Sequence, residues 1–201
     1  MRSFTTEGAP GRCPRCLIVQ QWCVCAEVPT VETKTRVVVV RHQREGWKST
    51  NTARIAALAL PRLELLDYGD DFEPALSALP GVVSGAHLLF PSDEAAPVQL
   101  ADVKTLIVID GTWRQTRKML NRLPMLGPLP RVSLPAQTQK VLRLRESTFE
   151  EGRSTLEAIA EALALIEGPN VAAPLHALHA KYVEQVFRAR GVWDQKRREH
   201  A

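Results

Sequence analysis

Asp110 has the clearest setting for acid–base chemistry in this chain of 201 residues. It closes the run Leu106-Ile107-Val108-Ile109, four β-compatible apolar residues that read as a strand covered on both faces. Gly111 then permits a sharp turn, and Thr112 is suited to cap the helix that continues from Arg114 to Leu123. Open α/β sheets hold their ligands in this geometry, beyond the carboxyl ends of the strands. An Asp after a strand is more often only a turn or capping residue, so its neighbours must decide. On the helix, Trp113, Thr116, Leu120 and Leu123 form an apolar stripe, and Arg114, Arg117, Lys118, Asn121 and Arg122 fall opposite. Like charges at such spacings cost about 0.2–0.5 kcal/mol per pair. Presenting that face to phosphates would offset the cost.

The second cluster is Cys13, Cys16, Cys23 and Cys25, which uses every cysteine of the chain within a short stretch. Two close pairs of thiolates across a short loop converge readily on one tetrahedral Zn²⁺. An iron–sulfur cluster or a redox dithiol are the alternatives, and zinc is preferred because no cofactor-specific spacing argues for iron. Four thiolates leave no open position, so such a metal is structural, and its binding would supply the folding free energy of a small unit. Residues 1–30 are read as this four-cysteine zinc unit and residues 31–201 as one catalytic domain.

Hydrophobic residues make up 45% of the chain and charged residues 24%, ordinary values for a globular protein. No apolar run approaches a membrane span, and the polar start with Glu7 is no signal peptide. A cytoplasmic location is expected, where disulfides are disfavoured. The net charge is +4, but Leu63 to Val103 holds acidic residues without Lys or Arg, and Gly111 to Arg145 holds basic ones without Asp or Glu. Such segregation points to a basic surface for a polyanion, although a solvated face that binds nothing has the same charge pattern.

Positioning these groups requires strands at 36–41, 63–66, 87–90, 106–109 and 131–134, with 141–144 as a sixth short strand or an extended loop. Helices are expected at 52–60, 72–79 and 114–123. Another opens at Ser154 with a capping box to Glu157 and stops at Gly168-Pro169, and a last one runs from Pro174 to about Arg190. His176 and His179 on that last helix are expected as surface or packing residues. Strands alternating with helices indicate an α/β fold with a largely parallel sheet flanked by helices.

Asp110-Gly111-Thr112-Trp113 resembles the signature of the DTW-domain proteins, the tRNA-uridine aminocarboxypropyltransferases. The resemblance extends to the cysteine unit, to His42 with Asn51-Thr52-Ala53-Arg54, to Phe90-Pro91-Ser92, and to Arg143 followed by Ser154-Thr155-Leu156-Glu157-Ala158. Gln43 departs from it, standing where the family typically has proline after the histidine. The resemblance implies a SPOUT-like α/β domain with a C-terminal trefoil knot. It also implies transfer of the 3-amino-3-carboxypropyl group of S-adenosylmethionine to N3 of a uridine in tRNA, releasing methylthioadenosine.

On that expectation Asp110 is the general base, with a pKa raised by burial or an apolar neighbour. Phe90, Pro91, Ser92, Gly111, Thr112, Trp113, Arg143, Ser154 and Thr155 are expected around the cofactor. Ser154 and Thr155 otherwise serve as plain capping residues. Trp113 either stacks on the uracil or packs. His42, Asn51, Arg54, Arg114, Arg117 and Lys118 are expected at the RNA, and Arg197 and Arg198 either add contacts or only solubilise. No membrane and no obligate protein partner are inferred. The competing readings are a SPOUT-type RNA methyltransferase and a zinc-dependent RNA-binding protein without activity.

Overall fold

A computed structural model of the chain describes residues 10–69, 79–91, 100–137, 141–145 and 152–200. Val37 to Val40 are fully buried, and strand alternation sends Val37 and Val39 into one core and Val38 and Val40 into another. This double burial makes Arg36–His42 (β1) a central strand. It pairs in parallel with Leu63–Tyr68 (β2) on one side and Thr105–Asp110 (β4) on the other. Ala86–Leu89 (β3) lies beyond β4, and the short Arg131–Val132 (β5) follows it, giving five parallel strands in the order β2-β1-β4-β3-β5.

Seven helices are described: Gln43–Gly46 (α1), Thr52–Ala59 (α2), Leu79–Val83 (α3), Trp113–Arg122 (α4), Thr155–Glu167 (α5), Pro169–Ala189 (α6) and Trp193–Glu199 (α7). Ala53 and Ile55 of α2, Leu156 and Ile159 of α5, and Leu175 and Tyr182 of α6 fill the core on one face. Leu79 of α3 and Met119 of α4 fill the other. β1 leads through α2 to β2, whereas β4 leads through α4 to a strand on the opposite side. The chain therefore diverges between the carboxyl ends of β1 and β4, which is where such sheets open a crevice.

The sequence expectations hold for the main elements and fail at particular ends. β5 stops at Val132, and 141–144 forms no strand. The helix expected at 72–79 lies outside the described residues except for Leu79, the first described residue of α3. α6 begins at Pro169, not Pro174. Pro174 sits near the start of the helix, where its missing N–H forfeits a single backbone bond. Gly168, at φ 102°, closes α5 and opens α6 with no loop between them. The buried stripe of α4 is also shifted: Thr116, Met119 and Leu123 are buried, while Trp113 is 36% exposed. Gln43 takes the first position of α1, with His42 Nδ1 capping it by accepting from Arg44 N at 3.1 Å. Proline is favoured at that position, so the departure at Gln43 leaves the turn intact.

The cysteine segment does not stand apart. Cys13, Cys16, Ile18 and Val24 belong to the same core as α5 and α6, and Val31 N donates to Ala59 O at 2.8 Å. Arg188 of α6 lies over Trp22 and Trp193, joining this segment to α7, which carries Arg197 and Arg198. No described helix is long and apolar enough to cross a membrane.

Candidate active site and metal centre

Leu106 and Val108 of β4 face the core that holds α2, α5 and α6, so alternation turns Asp110 to that same side. Two helix starts meet it there. Asn51 caps α2, its Oδ1 accepting from Arg54 N at 3.0 Å, and its Nδ2 donates to Asp110 Oδ2 at 2.6 Å. Thr155, the first residue of α5, donates its hydroxyl to Asp110 Oδ1 at 2.5 Å. Asp110 is only 6% exposed. Burial pushes its carboxyl above the ordinary value and nearby Glu45 adds to the rise, while Thr155, Asn51 and Arg41 pull the other way.

Arg41 stands opposite both Asp67 and Asp110 in the sheet register. It donates to Asp67 through Nε at 2.7 Å and Nη2 at 2.9 Å. Its Nη1 is buried with no hydrogen-bond partner among the described residues.

Asp110 opens into a hollow of about 670 Å³. Its walls include Glu45, Asn51, Gly111, Thr112, Trp113, Arg114, Arg117, Arg143, Arg145, Arg153, Ser154, Thr155 and His179. A second hollow of about 740 Å³ adjoins it, with the apolar Leu89, Phe90, Pro91, Ile109, Leu120, Val132 and Leu134 in its lining. Gly111, Trp113, Arg117, Gly152, Arg153 and Thr155 line both. Phe90 meets Trp113 edge-on at 5.9 Å between ring centres. The two cavities share this wall: Arg114, Arg143 and Arg145 line only the first, and Leu89, Phe90, Pro91, Ile109, Leu120, Val132 and Leu134 only the second.

Ion pairs brace the first hollow. Arg143 donates to Glu157 at 3.2 Å and also reaches Gln137. Glu45 is buried and accepts from Lys48 at 2.5 Å and Arg145 at 2.9 Å. Ser154 and Glu157 form the capping box of α5. His179 Nε2 lies 3.1 Å from Ser154 Oγ and 3.6 Å from Glu157 Oε2. Burial holds His179 below its ordinary value, although Glu157 pulls it up, so its ring is neutral near pH 7.

Most of the expected site residues therefore converge. Asp110, Gly111, Thr112, Trp113, Arg143, Ser154, Thr155, Asn51, Arg114 and Arg117 line the first hollow, and Phe90 and Pro91 the second. Ser92 lies outside the described residues. Lys118 is exposed on α4 but lines neither cavity. His42 is half-buried at the end of β1, its Cβ 3.6 Å from where a Cβ on Gly111 would sit. Arg54 bonds Gly46 O and so ties α2 to α1.

Glu45, Arg145, Arg153 and His179 are site residues that the sequence patterns do not single out. A signal for His179 exists all the same: it sits between Leu175 and Tyr182 on the buried stripe of α6, where a surface histidine would not fall.

Around the cysteines, Leu17 adopts φ 62° while Cys13 N donates to Ile18 O at 2.8 Å and Leu17 N to Cys13 O at 2.9 Å. This tight knuckle brings all four sulfurs within 4.8 Å of one another, with Cys13–Cys25 and Cys16–Cys23 at 3.7 Å. A tetrahedral zinc with bonds of about 2.3 Å needs sulfurs about 3.8 Å apart. Burial pushes the Cys23 and Cys25 thiols up, whereas at Cys13 the amides of Cys16 and Arg15 outweigh burial and bring it down to about 6. Four thiols this close cannot all ionise without a cation among them, and the group fits a metal.

The family model of the DTW domain matches residues 11–187. Among curated proteins, the chain is 28% identical over 183 residues to a tRNA-uridine aminocarboxypropyltransferase 2 of Drosophila melanogaster, covering 83% of this chain and 73% of that protein. It is 27% identical over 171 residues to the protein of that name from Macaca fascicularis, covering 79% of this chain and 57% of the relative. The Mus musculus protein of the same name is 28% identical over 170 residues, with the same coverages of 79% and 57%. The chain thus spans little more than half the length of the two mammalian relatives. No solved structure matches it.

Proposed function

The chain belongs to the DTW-domain family, and from that premise we propose that it is a tRNA-uridine aminocarboxypropyltransferase using S-adenosylmethionine. One observation carries the reading: a buried carboxylate at the rim of a parallel sheet, opening into an arginine-lined hollow that shares a wall with a second one holding Phe90 and Pro91. S-adenosylmethionine supplies an electrophilic γ-carbon next to its sulfonium. Asp110 takes the proton from uridine N3. The N3–Cγ bond forms as the Cγ–S bond breaks, the electron pair stays on sulfur, and methylthioadenosine leaves as a neutral thioether. A carboxyl raised by burial is a better base for a weak imide acid than an exposed Asp.

The second hollow, with Phe90 and Pro91 in its lining, suits the adenosine, and the shared wall at Gly111, Trp113 and Thr155 lets the amino-acid end reach Asp110. Thr112, Arg143 and Ser154 complete the cofactor side, with Ser92 assigned there from its motif. Arg114, Arg117 and Lys118 offer phosphate contacts from the exposed face of α4, and half-buried His42 is assigned to the RNA side from its motif. Asn51, bonded to Asp110 and Arg54 N, and Arg54, bonded to Gly46 O, act on the RNA side only by shaping the site. The Cys13, Cys16, Cys23 and Cys25 group would hold a structural Zn²⁺. On this reading residues 1–30 are the metal unit and 31–201 a SPOUT-like catalytic domain with a C-terminal trefoil knot. The enzyme would work on tRNA in the cytoplasm.

The test is incubation of the protein and its Asp110→Asn variant with labelled S-adenosylmethionine and unmodified tRNA. An aminocarboxypropyl adduct on uridine and released methylthioadenosine are expected from the parent. The variant is expected to bind the donor but to lose at least ~10²-fold in transfer. A methyl adduct would make the chain a methyltransferase instead, RNA binding without donor consumption would remove the activity, and unchanged turnover in the variant would remove Asp110 from the chemistry.

A further inference from the structure

We infer that Asn51 and Thr155 are positioning residues that clamp the Asp110 carboxylate, fixing Oδ2 as a permanent acceptor and leaving Oδ1 as the oxygen that takes the proton. The inference rests on Asp110 being the base. Asn51 is 2% exposed and both of its polar atoms are committed. Its Oδ1 caps α2 through Arg54 N, so the amide cannot flip without losing both bonds, and its Nδ2 can only donate. Oδ2 of Asp110 therefore faces an obligate donor, which favours the carbonyl form of that oxygen once the group is protonated.

Oδ1 faces a different partner. A hydroxyl donates to a carboxylate and, after rotation, accepts from a carboxylic acid. Thr155 can thus follow Asp110 through both protonation states, whereas Asn51 cannot. Thr155 is not the cap of α5, a role that belongs to Ser154, so its hydroxyl is available for this task. The clamp also explains how the carboxylate stays aimed with no side-chain cation bonded to it among the described residues.

The other described charges about Asp110 are Glu45 from α1, Arg41 from β1, Arg114 and Arg117 from α4, Arg143, Arg145 and Arg153 from the flanking segments, and His179 from α6. All are common to the variants that test the clamp. The experiment is kcat against pH, at saturating tRNA and S-adenosylmethionine, for the parent, Thr155→Val, Thr155→Ser, Asn51→Asp and Asp110→Asn. Removing the hydroxyl withdraws a donor from the charged form, so Thr155→Val is expected to move the acid limb up by about one pH unit. Thr155→Ser should return it. Asn51→Asp keeps an acceptor for the cap of α2 but replaces the amide donor with a second carboxylate, and should move the limb further because two carboxylates so close share a proton.

A limb unmoved in Thr155→Val, or moved and not restored by serine, overturns the clamp. The two Thr155 variants decide the matter even if Asn51→Asp does not fold. Activity in Asp110→Asn would overturn the base assignment instead, so the two failures are told apart.

Discussion

At the residue scale, Asp110 sets a conflict between stability and chemistry. Burial raises its carboxyl, so the folded chain holds that proton more tightly than the unfolded chain does. Between the unfolded pKa of about 3.9 and the raised folded value, the folded state binds more protons, and stability from this site falls as pH rises. Asp110→Asn removes the ionisation, and its amide still suits the pocket, accepting from Asn51 while Thr155 turns to accept. The variant is expected to be more stable than the parent at pH 7, with the gain vanishing below about pH 4. Urea midpoints at the two pH values measure this, and a variant less stable at pH 7 would mean that the two hydrogen bonds outweigh burial. Asp110 itself was legible because strand, turn and cap are local signals. The roles of Asn51 and Thr155 were not, because their bonds to Asp110 join residues 59 and 45 positions away along the chain. Nor was the exposure of Trp113, because helical spacing gives a stripe's period but leaves its phase to tertiary packing, and Met119 takes the buried place.

At the scale of elements, α4 joins the chemistry to the surface. Its capping box between Thr112 and Gln115 fixes the turn after Asp110, and a Cβ on Gly111 would come 3.1 Å from Gln115 Cβ. Its outer face presents Arg114, Arg117 and Lys118 without an acidic neighbour on the helix. Changing Arg114 and Arg117 together to Glu is expected to weaken tRNA binding and to lower the slope of log affinity against log salt by about two, one per lost phosphate contact. Filter binding across a salt series measures both, and an unchanged slope would remove this face from the RNA interface. Strand cores and capping boxes could be read from β-branched runs and Ser/Thr spacing. The start of α6 could not, because Pro174 mimics a first-turn proline and Pro169 already fills that role.

At the scale of the molecule, the cysteine segment and the catalytic sheet share a core. Cys16 is fully buried in the cluster that also holds Leu156, Leu175 and Tyr182. Tyr182 in turn bonds Ser49 O beside the site. Loss of a metal should therefore be felt beyond the segment that binds it. Stripping it with a strong chelator, or replacing Cys16 with Ser, is expected to lower the thermal midpoint of the whole chain in one transition followed by helical circular dichroism. A separate early transition with the main midpoint unchanged would show two independent units. The spacing of the cysteines announced the metal group, but their union with the catalytic core depends on contacts from α5 and α6, far along the chain. One corner binds the arrangement together more tightly than its position suggests. Because Gly168 serves both α5 and α6, there is no slack between them to absorb a change of length. A single inserted residue would swivel α6 by about 100° about its own axis, swinging His179 off Ser154 and Tyr182 off Ser49 at once. A one-residue insertion at this elbow is thus expected to disturb both contacts, however exposed Pro169 and Asn170 are beside it.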